Sequence, residues 1–228
     1  MSDQDPSIDF SMVIASAVHD MKNSLGMLLH SLDELRSDLP DDVARAPRFN
    51  TLQYEAERVH SDLVQLLGLY RVQQRTLSAH LDEHYLPDVL GEQMARHQPS
   101  LEGRGIRGEI ECPPINAYFD LELIPGVLSN IINNAVRYTH SRIRISAREE
   151  DDFVVLAVED DGDGYPARML EAPDASDQGI SFSTGSTNLG LYFASCVARL
   201  HKEGQRTGFI KLRNGGELGG GIFEIWLP

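Results

Sequence analysis

The stretch Val18-His19-Asp20-Met21-Lys22-Asn23-Ser24-Leu25 decides how the N-terminal third folds, because its apolar residues fall at helical spacing while a histidine, a carboxylate and an amide sit beside them. Followed outward, Ile14, Val18, Met21, Leu25, Leu28, Leu32, Leu35 and Leu39 step by four and three, the a/d seam of a coiled coil. A second seam runs through Leu52, Ala56, Val59, Leu63, Leu66, Tyr70, Gln73 and Leu77. Pro40, Pro47 and the run Asp38-Leu39-Pro40-Asp41-Asp42 interrupt the helix between them, so the two seams predict an antiparallel helical hairpin. Two helices leave one side of such long seams uncovered, and pairing with a second copy closes a dimeric four-helix bundle. His19 follows a seam position and therefore lies at the seam's flank. Asn23, one turn later, shares its face.

A helix-borne histidine is by itself more often a plain surface residue, and His30, His60, His80, His84, His97, His140 and His201 have no comparable neighbours. None of these makes a metal-ligand pattern with Cys112 or Cys196. The second half of the chain sets His19 apart. There Leu128-Ser129-Asn130-Ile131-Ile132-Asn133-Asn134-Ala135-Val136-Arg137-Tyr138-Thr139 reads as a helix holding three amides. Asn disfavours helix interiors because its side chain competes for backbone hydrogen bonds. Asn130 and Asn134 at i and i+4, with Arg137 three further on, give one face of amide, amide and guanidinium. Amide oxygens can ligate Mg²⁺, and the guanidinium can meet phosphate oxygens.

Next, Phe153-Val154-Val155-Leu156-Ala157-Val158-Glu159 reads as a buried strand ending in Asp160-Asp161-Gly162-Asp163-Gly164-Tyr165-Pro166. A carboxylate at a buried strand end can accept the exocyclic amine of adenine, and glycines let backbone approach the base. Glu159, Asp161, Asp163 and Gly164 also imitate half of a calcium loop, but Leu170 stands where its closing Glu belongs. A plain Asp/Gly turn is the other reading. Further on, Phe182 to Tyr192 includes Thr187-Asn188-Leu189-Gly190-Leu191 at the start of a helical run to Leu200. Its amides and hydroxyls suit a phosphate, or simply cap the helix.

In order and spacing these segments resemble the two-component sensor histidine kinases. His19-Asp20 resembles the phosphoacceptor box, Asn130 to Thr139 the N-box, Asp160-x-Gly162-x-Gly164 the first glycine box, and Leu189-Gly190-Leu191 the second. Ser186 and Asn188 stand where the second box usually has glycines, and Ser24 replaces a usual proline. The resemblance implies a histidine phosphotransfer hairpin over residues 1–80, a linker at 81–87 and an α/β sandwich (Bergerat-type) ATP-binding domain over 88–228. It implies catalytic roles for His19, Asp20 and Asn23, and nucleotide binding by Asn130, Asn134, Arg137, Tyr138, Asp160, Gly162, Gly164, Thr187, Leu189 and Gly190. Mg²⁺ would be held by Asn134 and Asn130, and residues 173–185 would form a short lid.

The implied activity is autophosphorylation of His19 from Mg·ATP and transfer to an aspartate of a response-regulator receiver domain, with Asn23 supporting dephosphorylation of that regulator. Gyrase-type ATPases carry a water-activating Glu where this chain has Asn130, which favours transfer over hydrolysis. Two alternatives stay open: a relay or scaffolding module with a decayed ATP-binding domain, and a serine kinase of the anti-sigma type.

Residues 1–84 hold 7 Lys/Arg against 14 Asp/Glu, net −7, which leaves −8 of the total −15 to the remainder. An acidic surface over both parts disfavours nucleic acid, which needs a basic footprint. Two distant cysteines fit a reducing compartment. With no apolar run of spanning length and no signal-like N-terminus, the expectation is a cytoplasmic chain off the membrane. Few residues precede His19, so its input is expected from a separate sensory partner, the short N-terminus or the docked regulator.

Overall fold

The computed structural model describes residues 10–40, 47–170 and 189–228. The chain divides into two compact units between Leu77 and Ser78.

The first unit is the hairpin of α1 (Phe10–Asp38) and α2 (Pro47–Gln73). Late α1 meets early α2: Arg36 Nη1 donates to Gln53 Oε1 at 3.1 Å, and Gln53 Nε2 donates to Asp33 Oδ1 at 3.0 Å. That cross-linking fixes an antiparallel register. Pro47 opens α2, where its missing N–H costs nothing. At the other end Arg75 takes a left-handed φ of 56°, and the N–H of Thr76 reaches back to the Arg71 carbonyl at 2.9 Å, a Schellman closure. The helix therefore stops short of Leu77, the last residue of the expected seam.

The two seams divide cleanly by heptad. Val18 and Ala56 are buried, with Leu25, Leu32, Leu63 and Tyr70 half-buried between the helices. Met21, Leu28 and Leu35 on α1, and Leu52, Val59 and Leu66 on α2, are exposed large apolar residues.

The second unit runs β1 (Asp82–Tyr85), α3 (Leu86–Glu102), β2 (Arg107–Glu111), β3 (Asn116–Phe119), α4 (Leu123–Tyr138), β4 (Arg142–Glu150), β5 (Phe153–Asp160), α5 (Ala167–Leu170), α6 (Leu189–Leu200), β6 (Lys202–Glu203), β7 (Arg206–Thr207), β8 (Phe209–Asn214) and β9 (Gly221–Leu227). Five strands form one sheet in the order β2-β4-β5-β9-β8, with β2 parallel to β4 and the other neighbours antiparallel. Asp151 and Asp152 make the β4–β5 turn with φ of 49° and 62°, the two left-handed residues of a type I′ hairpin.

Register sets the core. Ile143 pairs with Asp160, Ile145 with Val158 and Ala147 with Leu156, while Val158 and Leu156 pair with Phe223 and Ile225. These residues share one face, where α3, α4 and α6 pack against the sheet and each other. Helices on one side of a mixed sheet make the α/β sandwich that the pattern predicts. The Asp160 side chain belongs to that apolar face, at its edge.

Residues 82–85, read from sequence as linker, form a strand instead. β1 pairs antiparallel with β3, and the Leu86 to Glu102 helix follows directly, so the stretch from Ser78 belongs to the second unit. The strand eluded the sequence because its four residues are polar; only their pairing with Asn116–Phe119 defines them. The expected lid at 173–185, and Thr187 with it, lie outside the described residues.

Candidate functional site

His19 lies on α1 with about half of its side chain exposed. Asp20 Oδ1 and Asn23 Nδ2 each stand 3.4 Å from the same ring nitrogen, Nδ1. One neighbour is an acceptor and the other a donor, so Nδ1 is held in either protonation state. With the Nδ1 proton turned to Asp20, the lone pair is on Nε2, which makes Nε2 the nucleophilic atom of a neutral ring.

In the second unit, α4 organises a different set. Its N-terminus is tied by Asp120, whose Oδ1 accepts the N–H groups of Glu122 and Leu123, both at 2.9 Å. Its apolar residues Ile124, Val127, Leu128, Ile131, Ile132 and Val136 are buried against the sheet and neighbouring helices. Asn130 is buried, whereas Asn134, Arg137 and Tyr138 are exposed. The Arg137 guanidinium carbon lies 5.7 Å from the Tyr138 ring centroid. The amide face thus grades from the core at Asn130 to solvent at Arg137.

The C-terminal end of α4 abuts the turn after β5. A Cβ built on Gly162 would stand 2.2 Å from the Tyr138 carbonyl oxygen, so that position admits only glycine without movement. Asp160, 8% exposed, accepts the N–H of Gly162 at 2.8 Å and of Gly221 at 3.3 Å, both on Oδ1. Among the described residues Oδ2 accepts no hydrogen bond. A carboxylate with one oxygen fixed to backbone and the other open is suited to accept an amino group.

The turn also rests on Asp161, Asn214 and Glu159, to which the sequence reading gave no part in nucleotide binding. Asp161 accepts the N–H groups of His140 and Ser141 and the Ser141 hydroxyl, at 2.9, 2.9 and 2.6 Å. Burial acts to raise its pKa, but the bonds from Ser141, Arg142 and His140 hold it well below the usual carboxylate range. Asn214 brackets Tyr165, accepting its N–H at 2.7 Å and donating to its carbonyl at 2.8 Å. Gly164 turns there with φ 77°, against the Asn214 side chain. Glu159 accepts the Leu218 N–H at 2.7 Å. Glu159 and Asp161 are therefore engaged with different partners, which answers the calcium-loop reading. The signal for Asn214 in the sequence is its place at the head of the glycine-rich run 215–221, the composition of a turn.

Leu189 and Gly190 open α6, which packs against α4, and Gly190 is buried. The second unit thus joins the amide helix to the Asp160 turn, and its α6 begins at the third predicted box. These groups fit Mg·ATP in kind: a half-tied buried carboxylate, close-packed glycine backbone and amides reaching solvent.

A family profile described as histidine kinase-, DNA gyrase B- and HSP90-like ATPase matches residues 120–228, which include all of these groups. The sensor histidine kinase CpxA of Escherichia coli is 26% identical over 184 residues, covering 78% of this chain and 38% of CpxA. The chain is similar to the core of a histidine kinase. The sensor protein kinase PilS of Pseudomonas aeruginosa, also 26% identical, aligns over 92% of this chain and 39% of its own length. The chain thus spans about two fifths of these curated relatives. The histidine kinase AdeS of Acinetobacter baumannii shares the fold, with a TM-score of 0.61 at 21% identity over 92% of this chain and 96% of that one. Among the described residues no helix is long and apolar enough to cross a membrane.

Proposed function

We propose that this chain phosphorylates its own His19 from Mg·ATP and passes the phosphoryl group to an aspartate on a response-regulator receiver domain. The observation that carries the reading is the arrangement around His19, where Asp20 and Asn23 converge on Nδ1 of an exposed ring. Asp20 holds the Nδ1 proton and so keeps the Nε2 lone pair directed outward as nucleophile. Asp160 receives the adenine amine on Oδ2, with the Gly162 and Gly164 backbone beside the base. Asn134 and Asn130 are the candidate ligands of Mg²⁺, whose chemistry is to neutralise charge on the transferring phosphate. Arg137 adds a cation on the same face. Thr187, Leu189 and Gly190 offer donors at the start of α6.

The exposed heptad positions Met21, Leu28, Leu35, Leu52, Val59 and Leu66 support homodimerisation through the hairpin. Domain limits near residues 77 and 78 accord with the hairpin as phosphotransfer unit and the remainder as nucleotide unit. Asn23, one turn from His19, is placed to orient water for dephosphorylation of the docked regulator.

Purified protein incubated with γ-labelled ATP and Mg²⁺, beside His19→Ala, tests the reading. Acid-labile, base-stable label on wild type and none on the variant is the expected result. ATP binding without label argues for a partner-dependent kinase or a phosphatase. Absence of ATP binding overturns the kinase reading in favour of a relay.

A further inference from the structure

Helix α4 carries two polar pairs at a spacing of four, and they face different ways. Asn130 and Asn134 form the candidate Mg²⁺ pair. Ser129 and Asn133 each precede them by one residue, about 100° around the helix. There the ring of His97, on α3 and 5% exposed, has Nε2 3.1 Å from the Ser129 hydroxyl, and the Asn133 side chain one turn further on acts on the same ring. One planar ring thus grips two successive turns of α4.

A neutral imidazole has one N–H and one lone pair, and a hydroxyl and an amide can each complement either. Nε2 is therefore satisfied without charge. An apolar side chain would fill the same space without burying polar atoms that must then be paired. The apolar contacts of α4, through Val127, Leu128, Ile131 and Ile132, have no directional requirement. A hydrogen bond to a rigid buried ring does.

We propose that His97 is a positioning residue for nucleotide binding: by holding Ser129 and Asn133 it fixes the rotation of α4, and with it the aim of Asn130 and Asn134 at Mg²⁺. The inference rests on the nucleotide reading above. An amide oxygen about 6 Å from a helix axis travels about 2 Å for a rotation of about 20°. Mg²⁺ demands near-octahedral ligation at about 2.0–2.1 Å and tolerates no such displacement. Binding of the base depends on Asp160 in β5 and does not pass through this grip.

The test separates the two parts of the site. ATP dissociation constants are measured in EDTA and in Mg²⁺ for the full chain, for His97→Leu, for the milder Ser129→Ala and Asn133→Ala, and for His97→Asn. Expected for His97→Leu is EDTA affinity within about twofold of wild type and a Mg²⁺-dependent gain reduced about five- to tenfold. Each of the single α4 variants loses a smaller part of the gain, and His97→Asn, which keeps one bond, restores part of it. In nucleotide-free wild type, NMR should find a His97 ring N–H protected from exchange. Equal losses in EDTA and Mg²⁺, an intact gain, or a rapidly exchanging ring N–H overturns the proposal. Should His97→Leu not fold, the two α4 variants decide by the same criterion. Failure of wild type to bind ATP at all overturns the nucleotide reading itself, and is visible before any variant is made.

Discussion

Gly162 and Tyr138 touch backbone to backbone: a methyl group on the glycine would stand 2.2 Å from the tyrosine carbonyl oxygen. The turn after β5 and the last turn of α4 are thereby held at a fixed separation, and the same glycine N–H bonds Asp160. Gly162→Ala must push these elements apart. The expected cost is about 1–3 kcal/mol of stability, as for other overpacked sites. ATP affinity should fall by at least about tenfold, since about 1.4 kcal/mol is tenfold in binding. Thermal melting and calorimetric titration of the variant check both; unchanged values in the two would show that the contact is slack.

Asp160→Asn makes a more selective change. Asn retains Oδ1, so the bonds from Gly162 and Gly221 survive and the turn stays formed. The open atom changes from an acceptor to a donor, which faces the adenine amine donor to donor. The expectation is a melting temperature close to wild type with ATP affinity reduced about a hundredfold, the penalty of about 3 kcal/mol for an unmatched buried donor. Guanine nucleotides, which present a carbonyl oxygen at that position, should be disfavoured less by the variant. Comparable ATP binding by wild type and variant would remove Asp160 from base recognition.

The order of elements was legible wherever periodicity or alternation was strong. The heptad seams marked both helices of the hairpin, Leu189 to Leu200 matched its helix end to end, and the apolar run before Asp160 marked the central strand. Local chemistry located His19, Asp160 and the amide helix because an Asn pair inside an otherwise apolar helix is costly. What stayed hidden is long-range. β1 has four polar residues and exists through its pairing with β3. Asp161, between Asp160 and Gly162, read only as an open position of the glycine box or a calcium-loop mimic, yet it ties residues 140 and 141 to the turn. His97 carried no neighbouring motif, since its partners Ser129 and Asn133 lie some thirty residues away on another helix.

The outward face of the sheet supports a stability prediction. Glu224, 1% exposed, accepts from Arg148 at 3.0 Å and Arg213 at 2.5 Å, while Trp226 Nε1 reaches its other oxygen at 3.3 Å. Burial acts to raise the Glu224 pKa, but the bonds and charges of Arg213 and Arg148 hold it below the ordinary value. Glu224→Ala leaves both guanidiniums and the indole N–H without this acceptor. Because both arginines reach solvent, the expected loss is moderate, about 2 kcal/mol. Glu224→Gln, which keeps an acceptor but not the charge, should fall between. Urea denaturation followed at Trp226, the single tryptophan of the chain, reads this directly; equal stability of wild type and Glu224→Ala would mean that the cluster is electrostatically neutral in effect.

Acid should unfold the nucleotide unit earlier than its carboxylates alone require. Burial first, and the adjacent Arg96 charge second, lower the His97 pKa to about 4, against a smaller upward pull from the Asn133 hydrogen bond. His201 is lowered as well, again chiefly by burial. Between pH 6.5 and about 4 the unfolded chain therefore binds protons that the folded chain refuses. By linkage, stability is unaffected by His97 above the unfolded value and falls as pH drops through that window, by up to about 3 kcal/mol. Urea midpoints followed at Trp226 from pH 7.5 to 4.5 should decline for wild type and decline less steeply for His97→Leu, with His201 accounting for part of the remaining slope. Parallel slopes for the two proteins would show that His97 takes up its proton in the folded state as readily as in the unfolded one.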